Sequence, residues 1–233
     1  MFDPNQPLLQ DAAAKLGPLL DEVVFVGGVA LGLLIDDPAS APIRPTRDVD
    51  VIAEIVTYTD YIAFSERLRA ARFTEDSDGD PIACRWHHGD LILDVLPVDK
   101  AVLGYTNRWY RGALRNPLSM QLNNGKSIRV ITPPYFLGTK MEAFRGRGNR
   151  DYLASRDIED FIAVIDGRSS IEKEIADAPG DIAEYLANAC GELLRTSNFL
   201  DVLPGYVLDE MRAPVILKRL AAIAAIPSRP ETD

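Results

Sequence analysis

Two aspartates separated by one valine, Asp48 and Asp50, open an otherwise mostly apolar run, Asp-Val-Asp-Val-Ile-Ala-Glu-Ile-Val, over residues 48–56. In an extended strand, residues i and i+2 face the same side, so the two carboxylates project side by side. Like charges at that spacing repel, and one would take up a proton or leave the pair unless a cation sits with them. A hard divalent ion removes the conflict. Mg²⁺, or Mn²⁺ in its place, takes carboxylate oxygens and keeps phosphate and water as its other ligands. A third aspartate, Asp94, stands inside Leu-Ile-Leu-Asp-Val-Leu at 91–96. Burying an unpaired charge is costly. Asp94 is therefore either a hydrogen-bonded structural aspartate near a strand end or a third carboxylate beside the first two. The paired carboxylates and a Gly27-Gly28 step upstream favour the second reading.

These residues need elements to hold them. Val23-Val-Phe-Val26 reads as a short buried strand that stops in a tight turn at Gly27-Gly28, with a helix starting at Val29. Three prolines make residues 36–47 an irregular connection before the Asp48 strand. Residues 8–21 and 58–72 carry helical spacing. Residues 82–86 and 91–96 read as a hairpin turning at His87-His88-Gly89-Asp90. Neighbouring strand residues face opposite ways, so the two histidines read as ordinary turn residues and not as ligands of one ion. Asn123-Asn-Gly125 is a further turn, before a strand at 127–131. From Pro133-Pro134 onward the pattern is helical: 135–144, 155–166, 181–195 and a helix near 207–225. The chain divides into a mixed α/β domain, residues 1–132, and a helical domain, residues 133–233, an α+β protein as a whole.

At 233 residues and 47% apolar, the chain can build a proper core. It holds no apolar run of about 18 residues, so no membrane partner is expected. The N-terminus does not read as a secretion signal. Cys84 and Cys190 stand far apart and read as reduced, packed thiols. The expected location is cytoplasmic. A net charge of −10 argues against broad, unspecific nucleic-acid binding. Residues 101–150, however, hold nine Lys or Arg and one acid, Glu142. That asymmetry marks either a local polyanion site or clustered solvated loops.

The order of these motifs resembles the nucleotidyltransferases of the DNA polymerase β superfamily: an apolar strand, a Gly-Gly turn opening a helix, an Asp-x-Asp strand and a later acidic strand. Here the motifs read Val26-Gly-Gly-Val-Ala-Leu31, Arg44-Pro-Thr-Arg-Asp-Val-Asp-Val51 and Leu93-Asp-Val95. The Lys140-Met-Glu-Ala-Phe-Arg145 segment, followed by Arg150 and Ser155-Arg-Asp-Ile-Glu-Asp-Phe161, looks like the helical motif of the AbiEii-type branch, nucleotidyltransferase toxins of abortive-infection and toxin–antitoxin systems. One departure stands out. The distance from Gly28 to Asp48 exceeds the superfamily's usual spacing, and the segment 36–42 is read as an inserted surface loop of small folding cost.

The resemblance implies a nucleotidyltransferase-type mixed sheet flanked by helices, with a helical region after it. It also implies Mg²⁺-dependent transfer of a nucleoside monophosphate from an NTP to a hydroxyl, releasing pyrophosphate. Asp48, Asp50 and Asp94 would be the catalytic metal ligands. Gly27 and Gly28 would let backbone N–H groups and a helix N-terminus meet the phosphates. Thr46, two residues before Asp48, would bond a phosphate oxygen. Lys140 would neutralise the outer phosphates, and Asp157 would join the site, with Asp160 on the same helix face. Arg145, Arg147 and Arg150, with Arg108, Arg111, Arg115, Trp109 and Tyr110, would offer an acceptor surface of guanidinium forks and aromatic rings. The acceptor implied is tRNA or another RNA, with an antitoxin as a further partner. A protein hydroxyl is the alternative acceptor. A non-catalytic nucleotide- or RNA-binding module is the alternative class.

Overall fold

The computed structural model describes residues 2–76, 84–147, 151–209 and 211–228. Two compact units divide the chain. One comprises residues 2–32 and 43–132, the other residues 33–42 and 133 onward. The main part of the second unit begins at Pro133. The transfer of residues 33–42 to the helical unit was not foreseen.

The sheet unit starts with α1 (Gln6–Leu16), which buries Leu9, Ala12, Ala13 and Leu16. That spacing, i, i+3, i+4 and i+7, places one apolar stripe toward the core. A 3-10 segment over Gly17–Glu22 leads into β1 (Val23–Val26), whose four residues are all buried. There is no separate turn at Gly27-Gly28: α2 (Gly27–Leu34) begins at once. Next come β2 (Asp48–Ala53) and α3 (Tyr58–Ala70). At the start of α3, Thr57 and Asp60 form a reciprocal capping box. β3 (Thr74–Glu75), β4 (Arg85–His88) and β5 (Leu91–Pro97) follow. The unit closes with α4 (Lys100–Leu103), α5 (Tyr110–Arg115), β6 (Leu118–Gln121) and β7 (Ser127–Val130).

The seven strands form one mixed sheet in the order β3-β4-β5-β2-β1-β7-β6. β2 is the central strand, parallel to β5 and antiparallel to β1, and α1 and α5 pack against the sheet. The hairpin from β4 to β5 turns on Gly89 and Asp90 alone, because Gly89 takes φ +62. Residues 82 and 83 of the predicted first hairpin strand lie outside the described residues. His87 and His88 are therefore strand residues. They separate as expected: the His87 ring meets Asp76 at 3.1 Å, and the His88 ring meets the edge of Phe73.

The helical unit contains α6 (Pro133–Arg147), α7 (Arg156–Gly167), α8 (Ile171–Asp177), α9 (Gly180–Arg195), α10 (Ser197–Val202) and α11 (Arg212–Ala224). α7 buries Ile158, Phe161, Ile162 and Ile165, again at i, i+3, i+4 and i+7. α6 packs on α7 and α9, and α9 packs on α11. The segment 36–42, expected as a surface loop, is tied into this unit. The Asp36 and Asp37 amides both donate to the Gly167 carbonyl at 2.9 Å, the Ser169 amide donates to Asp36, and Asp37 pairs with Arg212 at 2.8 Å. A Cβ on Gly167 would lie 2.7 Å from Ile35, so glycine lets the segment approach the end of α7. Cys84 and Cys190 are both free and buried. Burial pushes the Cys84 thiol up to about 11 and the Cys190 thiol up to about 12. Among the described residues, no helix is long and apolar enough to cross a membrane.

Candidate active site

Sheet register builds the site. Asp50 on β2 lies opposite Asp94 on β5, and Asp94 lies opposite Arg85 on β4. Directly opposed residues share a face, so Asp50, Asp94 and Arg85 form one row across three strands. Asp48 joins the same face two residues before Asp50. Val49 and Val51, the alternate residues of β2, are fully buried. The alternation of polar and apolar residues therefore fixes which way the carboxylates point.

On the other side of β2, Asp50 lies opposite Val26, the last residue of β1. The chain leaves β1 through Gly27, which has φ +65. A Cβ there would stand 1.9 Å from Asp50 Oδ2. Gly27 is thus required twice, for its left-handed backbone and for the close approach of its main chain to Asp50. Gly28 is different. A Cβ on it would make ordinary contact with Thr46 at 3.6 Å.

The residues before β2 are also fixed. The buried Asn5 side chain donates to the Arg44 carbonyl at 3.1 Å and accepts from the Thr46 amide at 2.9 Å. Thr46 Oγ1 then donates to Asp48 Oδ1 at 2.8 Å. One Asp48 oxygen is therefore oriented by the hydroxyl of a residue whose backbone amide is held by Asn5. Asn5 was not anticipated, since its partners lie about forty residues along the chain.

Arg85 is the more consequential omission. Its Nε and an Nη donate to the two oxygens of Asp94 at 2.8 and 2.7 Å, and its guanidinium reaches Asp48 Oδ2 at 3.5 Å. The hydrogen bonds to Asp94 raise the Arg85 pKa above its ordinary value. The sequence held a signal for it. Counting back from a two-residue turn at Gly89-Asp90 pairs residue 88 with 91 and residue 85 with 94. The four-residue turn assumed from the sequence hid that register.

Asp48 and Asp50, carboxylates on one face of β2 beside a glycine whose Cβ would run into Asp50, have the chemistry a divalent cation would need, whereas both Asp94 oxygens are already taken by Arg85. Among the described residues, no three His, Cys, Asp or Glu side chains are gathered as a ready metal site. Arg85, and not an acid, closes the row at Asp94. A cavity of about 450 Å³ in this unit lies elsewhere, lined by Arg111, Arg115, Arg129, Glu54 and Val98 among others. Glu54 and Val98 follow the C-terminal ends of β2 and β5, whereas Asp48 begins β2, so the cavity belongs to the opposite end of these strands.

The remaining predicted residues have other surroundings. Arg111 pairs with Asp99 at 3.4 Å, and Arg108 stacks over Trp109. In the helical unit, Lys140 is buried, 2.6 Å from Asp160 and 3.5 Å from Asp157. A buried ammonium between two buried carboxylates ties α6 to α7. Arg145 pairs with Glu192 at 2.6 Å and lies over Tyr185. The Arg147 side chain and Arg150 lie outside what is described.

Among solved structures, the chain is similar to JHP933 of Helicobacter pylori, with a TM-score of 0.47 and 15% identity, covering 96% of this chain and 93% of that one. It is also similar to a candidate nucleotidyltransferase of H. pylori, with a TM-score of 0.44 and 13% identity, covering 96% of each chain. No family model matches the chain, and no curated protein does.

Proposed function

We propose that this protein is a metal-dependent nucleotidyltransferase that moves a nucleoside monophosphate from an NTP to a hydroxyl. The observation that carries this reading is the register: Asp50 opposite Asp94, with Asp48 on the same face and the Gly27 main chain held against Asp50. A divalent ion held by Asp48 and Asp50 would supply charge neutralisation at the phosphates and polarise the α-phosphorus. The protein's own groups do the rest. Thr46 fixes the direction of one Asp48 oxygen. Gly27 and Gly28 leave the first turn of α2 open, where unpaired N–H groups favour an anion. Asp94 is the carboxylate on hand to draw the proton from an attacking hydroxyl, and Arg85 keeps both its oxygens in the row.

The acceptor we propose is an RNA end, with tRNA the class implied by the resemblance to the toxin branch. Support comes from the stretch 101–150, basic in an otherwise acidic chain. The test is incubation with each α-³²P-labelled NTP, Mg²⁺, total RNA and whole-cell protein, beside Asp48→Asn and Asp50→Asn. Label on RNA that disappears in both variants is the expected result. Label on a protein band would replace the acceptor and keep the chemistry. Full labelling by a folded Asp50→Asn variant would end the metal-ligand assignment.

A further inference from the structure

We infer that the cavity beyond the C-terminal ends of β2 and β5 is a binding site for a small phosphorylated polyol, such as a sugar phosphate, with Arg115 and Arg129 taking the phosphate.

The cavity measures about 450 Å³. That lies within the span of small-molecule pockets, about 300–1,000 Å³. It belongs to the sheet unit and stands apart from the carboxylate row. Glu54 and Val98, which line it, come after the last residues of β2 and β5. The steps from Asp50 to Glu54 and from Asp94 to Val98 each cover roughly 13 Å of extended chain.

Arg129 on β7 is the fixed point of the site. One Nη donates to the Asp21 carbonyl at 2.9 Å and the other to the Leu114 carbonyl at 3.0 Å. Both acceptors are neutral, so the guanidinium is held in place without its charge being neutralised. A guanidinium carries five N–H donors, and further ones remain after these two bonds. Arg115, the last residue of α5, lines the same cavity. Among the described residues, neither Arg115 nor Arg129 pairs with a carboxylate. Arg111 lines the cavity as well, but Asp99 engages it at 3.4 Å. Guanidinium forks match phosphate oxygens two at a time.

The other walls define the rest of the ligand. Glu22 also borders the cavity, but both its oxygens accept from Arg67. Asp21 and Glu54 are exposed carboxylates on the same lining. They would repel a bare anion, yet they accept from hydroxyl groups. Phe64, Val98 and Leu114 supply buried apolar surface for a carbon skeleton. A phosphate joined to a hydroxyl-bearing carbon chain satisfies all three kinds of wall. Inorganic phosphate would meet the repulsion without the hydroxyl contacts, and an unphosphorylated sugar would leave the arginines unused.

The test is isothermal titration calorimetry of the full chain with ribose 5-phosphate, glucose 6-phosphate and glycerol 3-phosphate, beside ribose and inorganic phosphate. At least one ester should bind once per chain, about tenfold or more tighter than ribose or inorganic phosphate. Arg115→Ala should weaken that ester by about tenfold or more, the effect of losing one hydrogen bond to a charged group. Asp48→Asn should leave it unchanged, because Asp48 begins β2 at its opposite end. Arg129→Gln should act like Arg115→Ala. If the loss of its carbonyl bonds unfolds Arg129→Gln, as a circular dichroism melt would show, Arg115→Ala carries the test. No ester bound, inorganic phosphate bound equally well, or ester binding kept in folded Arg115→Ala or lost in Asp48→Asn would overturn the inference. A short RNA bound through Arg115, with no ester bound, would also overturn it and return that arginine to the acceptor surface.

Discussion

At the residue scale, Gly27 is the position with least latitude in the site. Any side chain there meets the Asp50 carboxylate, and φ +65 disfavours every L residue with a Cβ. Gly27→Ala should cost about 1–2 kcal/mol for the left-handed backbone and a further amount, about 1–3 kcal/mol, for the overlap with Asp50. Urea unfolding would measure it, and nucleotide transfer should fall with it. Gly28→Ala is the control, expected to be mild. Equal, small effects at both positions would mean that Asp50 does not lean on the Gly27 main chain. From sequence alone the two glycines were equivalent, because the distinction depends on which one touches a neighbouring strand. That Asp48 and Asp50 share one face of β2 was legible, because alternation along a strand is a local property. Arg85 and Asn5 were not, because each acts on a residue reached only through sheet pairing or a returning loop.

At the element scale, long periodic helices and apolar strands were visible in advance, and short pieces were not. β3, β6, α8 and α10 are all seven residues or fewer and have little room for periodicity. α3 shows how a helix start carries a measurable signature. The Asp60 carboxylate accepts from the Thr57 and Val56 amides, while the Asp60 amide donates to the Thr57 hydroxyl oxygen, and the hydrogen bonds to the carboxylate, led by the one from the Thr57 amide, hold its pKa below the ordinary value of 3.8. A group whose folded pKa is depressed contributes stability above its unfolded pKa and loses it as pH falls through the folded one. Melting temperatures taken from about pH 5 down to about pH 2 should therefore show the wild type's advantage over Asp60→Asn shrinking toward the acid end. An advantage that grows on acidification would contradict the capping box.

At the scale of the whole molecule, the helical unit takes in the segment 33–42, a membership that composition did not announce. Its partners, Gly167, Ser169 and Arg212, are too distant in sequence for any local pattern to name them. Arg212 is the strongest tie. It bonds the nearly buried Asp166 at 2.8 Å and Asp37 at 2.8 Å. Arg212→Ala should cost toward the lower end of about 3–5 kcal/mol, since Arg212 itself keeps some contact with water. Guanidinium unfolding would read the loss, and Arg212→Lys should recover part of it. No loss would show that the segment is held by its backbone bonds alone. The same segment has a consequence for the newly made chain. Asp36 leaves the ribosome 133 residues before Ser169, whose amide it accepts. At about 5–20 residues per second, it waits roughly 7–27 s for that partner. Through that interval Leu34, destined for full burial, stays within reach of chaperones.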